Sequence, residues 1–251
     1  MIGNAAPPFP WKIGDHVVVV GDTGSGKSFF LANGLLPMRE YVVVFLTKTD
    51  PRDTALWKRA GYRFVRHAKD IDDARYSRFV VQPRYHEQAR EGWRLAEKVY
   101  RQGRWTIVWD EYFLAERIGL GEQIEKLLTQ GRSNQITVVV GMQRPVAISR
   151  FAISQATHVF TFVVEGRDAD TLGEAASPRL LPLISERWRA QASHRAEAER
   201  TPMLREHEFA YYHRKHRAVA RGYVQSLPAI LYPPGRDLAK SRQKSLDTVG
   251  A

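Results

Sequence analysis

The chain contains no cysteine, which excludes disulfide bonds, thiol nucleophiles and cysteine-bound zinc. Long apolar runs are absent too: the longest, residues 16–20, 41–46 and 136–140, fall far short of the roughly 20 residues that cross a bilayer. No membrane span is therefore expected. The opening MIGNAAPPFPWK has no basic segment leading into an apolar one, so it does not read as a secretory signal. These absences point to a cytoplasmic protein. No internal repeat or low-complexity tract is evident, and the histidines are scattered without metal-like spacing. Acidic charge is in deficit, with 27 Asp and Glu against 38 Lys and Arg, a net charge of +11. Such an excess calls for a polyanionic partner, nucleic acid first and an anionic membrane second.

At 251 residues the chain can bury a full core, as one large α/β domain or one domain with an appendage. Short β-branched runs alternate with helical stretches, the pattern of a parallel sheet covered by helices. Strands are expected at residues 16–20, 41–46, 105–109, 136–141 and 158–163, with a further short one at 79–82. Helices are expected at 87–102 and 168–176, and a hairpin at 208–212 and 218–223 around Arg214 and Lys215. Residues 47–103 otherwise carry no assignable motif. The division expected is a core over residues 1–176, a basic helical and hairpin extension over 177–232, and a polar tail over 233–251 containing Pro-Pro-Gly.

Residues 21–28 read GDTGSGKS, between the run HVVVV and the start of a helix. Each element answers a need of a bound triphosphate. Gly21, Gly24 and Gly26 permit backbone angles that let successive N–H groups of Asp22, Thr23 and Ser25 turn toward anionic oxygens. Lys27 supplies a positive point charge, Ser28 a hydroxyl for Mg2+, and the following helix its positive end. The chain is expected to bind ATP with Mg2+.

A second segment, WTIVWDE at 105–111, places Asp110 at the carboxyl end of an apolar strand, where open α/β sheets bind ligands. Asp110 would hold Mg2+ through water, opposite Ser28. Glu111, next along, is the natural general base for a water aimed at the γ-phosphate. In the third segment, GRSNQITVVVGMQRP at 131–145, Gln143 closes a strand expected beside that of the phosphate loop, where its amide could sense the γ-phosphate. Arg132 precedes the same strand at its far end. It cannot easily reach its own nucleotide but could face a neighbour's, and Arg144 and Arg150 are further candidates for such an arginine in trans. Arg200, Arg205, Arg214, Lys215, Arg217 and Arg221 form a candidate basic face for DNA phosphates. Trp188 would anchor a helix or stack on bases, and Phe9 and Trp11 are candidates to cover the adenine.

Taken together, the order of these three segments, followed by ISRFAISQATHVFTFVVEGRDADTL, resembles the FtsK/HerA superfamily of DNA-pumping ATPases over about residues 15–176. Within it the chain looks most like the compact genome-packaging ATPases of viruses and phages. The resemblance implies a three-layer RecA-like P-loop NTPase fold with a mostly parallel sheet. It also implies a homo-oligomeric ring of five or six subunits, ATP between neighbours and double-stranded DNA in the channel. By that analogy Lys27 and Ser28 bind nucleotide and Mg2+, Asp110 and Glu111 are the metal-organising and catalytic acids, Gln143 is the sensor, and Arg132 acts in trans. A capsid vertex or portal protein is the further partner implied. Transfer of cellular or plasmid DNA by the same superfamily is an alternative. A small-molecule kinase and a nucleotide-dependent assembly factor are alternatives of another class.

Overall fold

The valine-rich runs VVVV and VVVF are apolar on both sides of the pleat, so each must be covered from two directions. The computed structural model, which describes residues 11–147, 150–188, 204–205 and 207–224, places them at the centre of a nine-stranded sheet. Its strands are β1 (Val17–Val20), β2 (Val42–Phe45), β3 (Arg63–Val65), β4 (Arg78–Val81), β5 (Thr106–Trp109), β6 (Thr137–Met142), β7 (His158–Thr161), β8 (Glu208–His213) and β9 (Ala218–Tyr223). The spatial order is β3-β4-β2-β5-β6-β1-β7-β8-β9. Every pairing from β3 to β7 is parallel, and β8 and β9 add antiparallel.

The helices are α1 (Lys27–Phe29), continued by the wider-wound turn Phe30–Leu35, then α2 (Pro51–Arg59), α3 (Gln88–Gln102), α4 (Tyr112–Arg117), α5 (Gly121–Gln130), α6 (Phe151–Gln155), α7 (Gly166–Ala175) and α8 (Leu181–Ile184). Alternation along the strands divides the core between the two faces of the sheet. Val18, Val20, Val43 and Phe45 pack with Leu95, Ile124 and Leu172 from α3, α5 and α7. Val17, Val19, Val42 and Val44 pack with Phe30, Leu31 and the fully buried Trp57 of α2. This is a three-layer α/β fold, as the motifs imply.

The expected strands are present, and helices expected at 87–102 and 168–176 run Gln88–Gln102 and Gly166–Ala175. The strand expected beside that of the phosphate loop is β6, paired from Val17↔Val139 to Val20↔Met142. Strand β3 and helices α2, α4, α5 and α6 were not legible in the pattern. Helix α2 does carry a local start signal, since the Asp50 carboxylate accepts from the Arg52 N–H at 2.7 Å and Pro51 opens the first turn.

The basic hairpin differs from expectation. Arg214 donates to the main-chain carbonyls of Ala156 (2.9 Å), Ile153 (2.8 Å) and Ala175 (2.9 Å), closing the carboxyl ends of α6 and α7. Lys215 pairs with the buried Asp15 at 3.0 Å, and Arg221 with Glu208 at 2.5 Å. Arg214 and Lys215 thus hold the hairpin to the core and Arg221 ties β9 to β8, whereas Arg205 and Arg217 of the same set are exposed. Trp188 packs against the core and donates to Asp170 Oδ1 at 2.7 Å, the anchoring alternative. Arg200, Phe9 and the tail 233–251 lie outside the described residues. Trp11 stands under Arg39, 3.9 Å from its guanidinium, and donates to the Asp15 carbonyl ahead of β1. That is the end of the sheet opposite the phosphate loop, which excludes an adenine-covering role for it.

Candidate nucleotide site

Parallel strands deliver their carboxyl ends to one edge of the sheet, and four adjacent strands place the sequence-derived residues there. In spatial order β2 delivers Lys48, β5 Asp110 and Glu111, β6 Gln143, and β1 the loop 21–28. The four side chains from β2, β5 and β6 line one cleft of about 430 Å³ with Thr23, Gly24, Gly26, Lys27 and Ser28 of the loop and with Asp53 and Arg59 from α2.

The loop is shaped by glycine in two ways. Gly24 and Gly26 sit at φ 84° and 98°, left-handed values that side chains disfavour. Gly21 has no such angle; a Cβ there would come 2.7 Å from Ser25 Oγ and 2.9 Å from Phe162 Cβ, so close packing requires it, not conformation. Behind the loop Phe30 sits 4.9 Å from Phe160 and 5.0 Å from Phe209, ring centre to ring centre, which fixes the helix that presents Lys27 and Ser28. The Lys27 ammonium donates to the carbonyls of Gly21 (2.5 Å) and Asp22 (2.8 Å).

Glu111 is the best-held carboxylate of the cleft, 7% exposed. Thr23 Oγ1 donates to Gln143 Oε1 at 3.1 Å, which orients the amide so that Gln143 Nε2 donates to Glu111 Oε2 at 2.7 Å. Lys48 donates to the same Glu111 oxygen. Burial, then the neighbouring Asp53 and Glu111 carboxylates, push the Asp110 carboxyl up to about 7 against the pull of Lys27 and Lys48. Burial and Asp50 raise Asp53 likewise. Burial lowers Lys27, against the opposing influence of Glu111 and Asp110. A crowd of carboxylates in poor solvent beside two lysines is a site suited to a cation and an anion held together.

Arg132 lies at the other end of β6, roughly 20 Å of strand away from Gln143. It is exposed and donates to the Gln155 carbonyl at 3.0 Å. Arg144 donates to Asp168 at 3.0 Å and Arg150 pairs with Glu174, so both face α7 and not the cleft. Lys48, Asp53 and Arg59 were missed by sequence reasoning. The signal for Lys48 was its position just past an apolar strand, the rule that found Asp110, and the signal for Asp53 was the Asp-Pro helix start.

Fold and cleft define a P-loop α/β protein of RecA-like architecture, with β6 inserted between the strand of the phosphate loop and the strand of the acidic pair. Among solved structures the chain is similar to the genome packaging NTPase B204 from Sulfolobus turreted icosahedral virus 2 in complex with AMPPCP. The TM-score is 0.60 at 16% identity, covering 83% of this chain and 96% of that one. It is also similar to B204, the DNA-packaging ATPase from Sulfolobus turreted icosahedral virus, with TM-score 0.60, 17% identity, and 84% and 98% of the two chains covered. A complex of the former with ATP-gammaS matches at TM-score 0.58 and 17% identity, over 84% and 98% of the two chains. No protein-family model and no curated protein matches the sequence. The shared fold is the α/β P-loop fold expected from the three motifs.

Proposed function

We propose that the protein is an ATP-hydrolysing motor that moves double-stranded DNA, most simply in packaging a viral genome into a capsid. The observation that carries the hydrolytic part is Glu111, buried at the edge of the phosphate cleft and held by Gln143, whose amide is itself fixed by Thr23 of the loop. A carboxylate so placed serves a water at the γ-phosphate, and the Asp110–Glu111 pair with Gln143 favours water over the acceptor hydroxyl of a kinase. The net charge of +11 and the fold shared with DNA-packaging NTPases support the DNA part.

In this reading Gly21, Asp22, Thr23, Gly24, Ser25, Gly26, Lys27 and Ser28 cradle the phosphates, and Glu111 takes the proton of the attacking water while Gln143 orients Glu111. Mg2+ fits the donor set. Among the described residues no group of three acidic, His or Cys side chains could cage a metal, so Ser28 and Asp110 would hold it together with phosphate oxygens and water, as Mg2+ prefers. When bound, it would neutralise charge on the transferring phosphoryl group. Arg132 at the far end of β6 suits a role toward a neighbour in a ring of five or six copies, and a capsid vertex or portal protein is the docking partner this reading implies.

Residues 1–176 would form the motor core, with 177–232 packed on it. Among the described residues no helix is long and apolar enough to cross a membrane, which is compatible with a motor working in the host cytoplasm.

The test is ATP turnover with and without double-stranded DNA. Lys27→Ala should abolish binding or turnover, and Glu111→Gln should bind ATP without cleaving it. DNA stimulation supports the motor, acceptor-dependent ADP release a kinase, and normal hydrolysis by Glu111→Gln would remove the catalytic assignment. Mixing Arg132→Ala with Glu111→Gln chains should restore some sites if the arginine acts across the interface. Co-assembly without recovery would refute that role.

A further inference from the structure

Tyr85 is 85% exposed, the most open of the large apolar side chains among the described residues. It stands on the tight turn Tyr85–Glu87 between β4 and α3, with Arg84 before it and His86 after it, both exposed. The turn is held so that the ring cannot fold away. Pro83 ahead of it is buried, the Glu87 N–H donates to the Arg84 carbonyl at 2.8 Å, and the Arg84 N–H donates to Glu87 Oε2 at 3.4 Å. Glu87 is fixed in turn by Arg90 at 3.2 Å and His67 at 3.6 Å. One turn further, the fully buried Glu91 accepts from the Ala68 N–H at 3.0 Å and from Arg94 at 2.8 Å.

Sheet register brings a second exposed segment alongside. Strand β3 lies at the edge and runs level with β4, Val65 against Val81, and the Gln82 N–H donates to the Val65 carbonyl at 3.0 Å. Arg66 and Lys69 therefore leave β3 beside the turn, and both are exposed. The nearby acids are already taken, Asp70 by His67 and Glu87 and Glu91 by the arginines of α3. Arg66, Lys69 and Arg84 have no ion-pair partner among the described residues. This corner thus differs from the hairpin, where Arg214, Lys215 and Arg221 are committed to protein groups.

Free cations around an exposed phenol on a rigid turn fit a polyanion with sugars between its charges. Arginine and lysine meet phosphate oxygens, the tyrosine hydroxyl donates to one, and its ring lies against the sugar. Such contacts carry no sequence information, which suits a chain that must travel along its partner. A protein interface would centre on apolar surface depleted in lysine, which this corner does not offer. Resting on the motor reading above, we propose that Arg66, Lys69, Arg84 and Tyr85 form a docking surface for the phosphate backbone of double-stranded DNA. The surface lies on the same edge of the sheet as the nucleotide cleft, because β3 and β4 run parallel to β2 and end beside it. None of these four residues lines the cleft, so DNA binding and nucleotide chemistry are separable by mutation.

The experiment uses the full chain and a short fluorescent duplex of arbitrary sequence, with anisotropy read between about 50 and about 200 mM salt. Replacing Arg66, Lys69 and Arg84 together with alanine should weaken binding about 100-fold at the lower salt and flatten the slope of log affinity against log salt by about 3. Tyr85→Ala should weaken binding about 10-fold with the slope unchanged, since its contact is uncharged, and Tyr85→Phe should recover part of that loss. All three variants should keep the wild-type urea midpoint and DNA-free ATP turnover, because the altered side chains are exposed and outside the cleft. A control chain with alanine at Arg101, Lys126 and Arg187, exposed elsewhere, should change the slope by less than about 1. Wild-type duplex affinity in the Arg66, Lys69 and Arg84 variant, as a corner serving a protein would give, would overturn the proposal and leave the motor reading standing. An equal loss in the control chain would do the same. A wild-type chain that hydrolyses ATP but binds no duplex would overturn the DNA part of that reading and the surface together.

Discussion

Replacing Asp110 with Asn should stabilise the folded protein while disabling it. In the native state burial and the neighbouring Asp53 and Glu111 raise the Asp110 carboxyl to about 7 from an ordinary 3.8. An acid raised in this way binds more protons folded than unfolded between those two values. Stability is therefore lost as pH climbs through that window, and the full deficit stands above pH 7. A gap of about 3 units corresponds to about 4 kcal/mol. Structural relaxation and water penetration make about 2 kcal/mol the realistic size. The amide occupies the same space without charge, so Asp110→Asn should gain about that much over wild type at pH 8 and almost nothing at pH 4. Urea unfolding of both chains at pH 4, 6 and 8, without nucleotide or metal, measures the difference directly. Effects of pH elsewhere in the molecule cancel between the two chains. Magnesium-dependent turnover should fall in the same variant. A variant less stable than wild type at pH 8, or a gain that does not vary with pH, would refute the electrostatic account of the site.

Other outcomes follow from the structure. His16 is buried, with Nε2 against the Leu128 carbonyl at 3.0 Å and Nδ1 accepting from the Val138 N–H at 3.1 Å, an arrangement that only the neutral ring satisfies. Burial and Arg132 lower it to about 4, and burial and His213 lower His158 to about 3. Both contribute stability fully present above pH 6.5 and lost as pH falls toward those values, about 2 kcal/mol each at pH 5. Urea melts of the Asp110→Asn chain, in which the opposing carboxyl is removed, equally stable at pH 7 and pH 5 would contradict this. Arg214→Ala strips three carbonyls of their donor and should cost about 2–3 kcal/mol, with faster amide exchange in β8 and β9; Lys at this position should not rescue it. Gly26→Ala forces a side chain onto φ 98°, which should cost about 1–2 kcal/mol in melting experiments and weaken triphosphate binding at least about 10-fold, whereas wild-type binding would show that the loop tolerates another path.

The sequence by itself determined the chemistry that local spacing can carry. GDTGSGKS is a contiguous device whose glycines, lysine and serine act within one turn, and Asp110 and Glu111 follow an apolar strand whose carboxyl end must open on a ligand edge. The valine runs likewise forced a sheet covered on both faces, because neither side of such a strand tolerates water. Helix α2 and strand β3 escaped notice because their patterns are short and half exposed, and tertiary contacts through Trp57 and β4 hold them in place.

Only the tertiary structure decided which side chains meet. That β5 lies between β2 and β6 is set by long-range pairing, and it alone brings Lys48 and Gln143 onto opposite sides of Glu111, from 63 and 32 residues away. The same holds for the hairpin cations. In sequence, Arg214, Lys215 and Arg221 are one basic cluster; in space each is committed to a different partner in or beside the core. Charge and motif are local properties that a chain displays before folding, whereas the state of a charge, paired or free, depends on neighbours that only the assembled sheet provides.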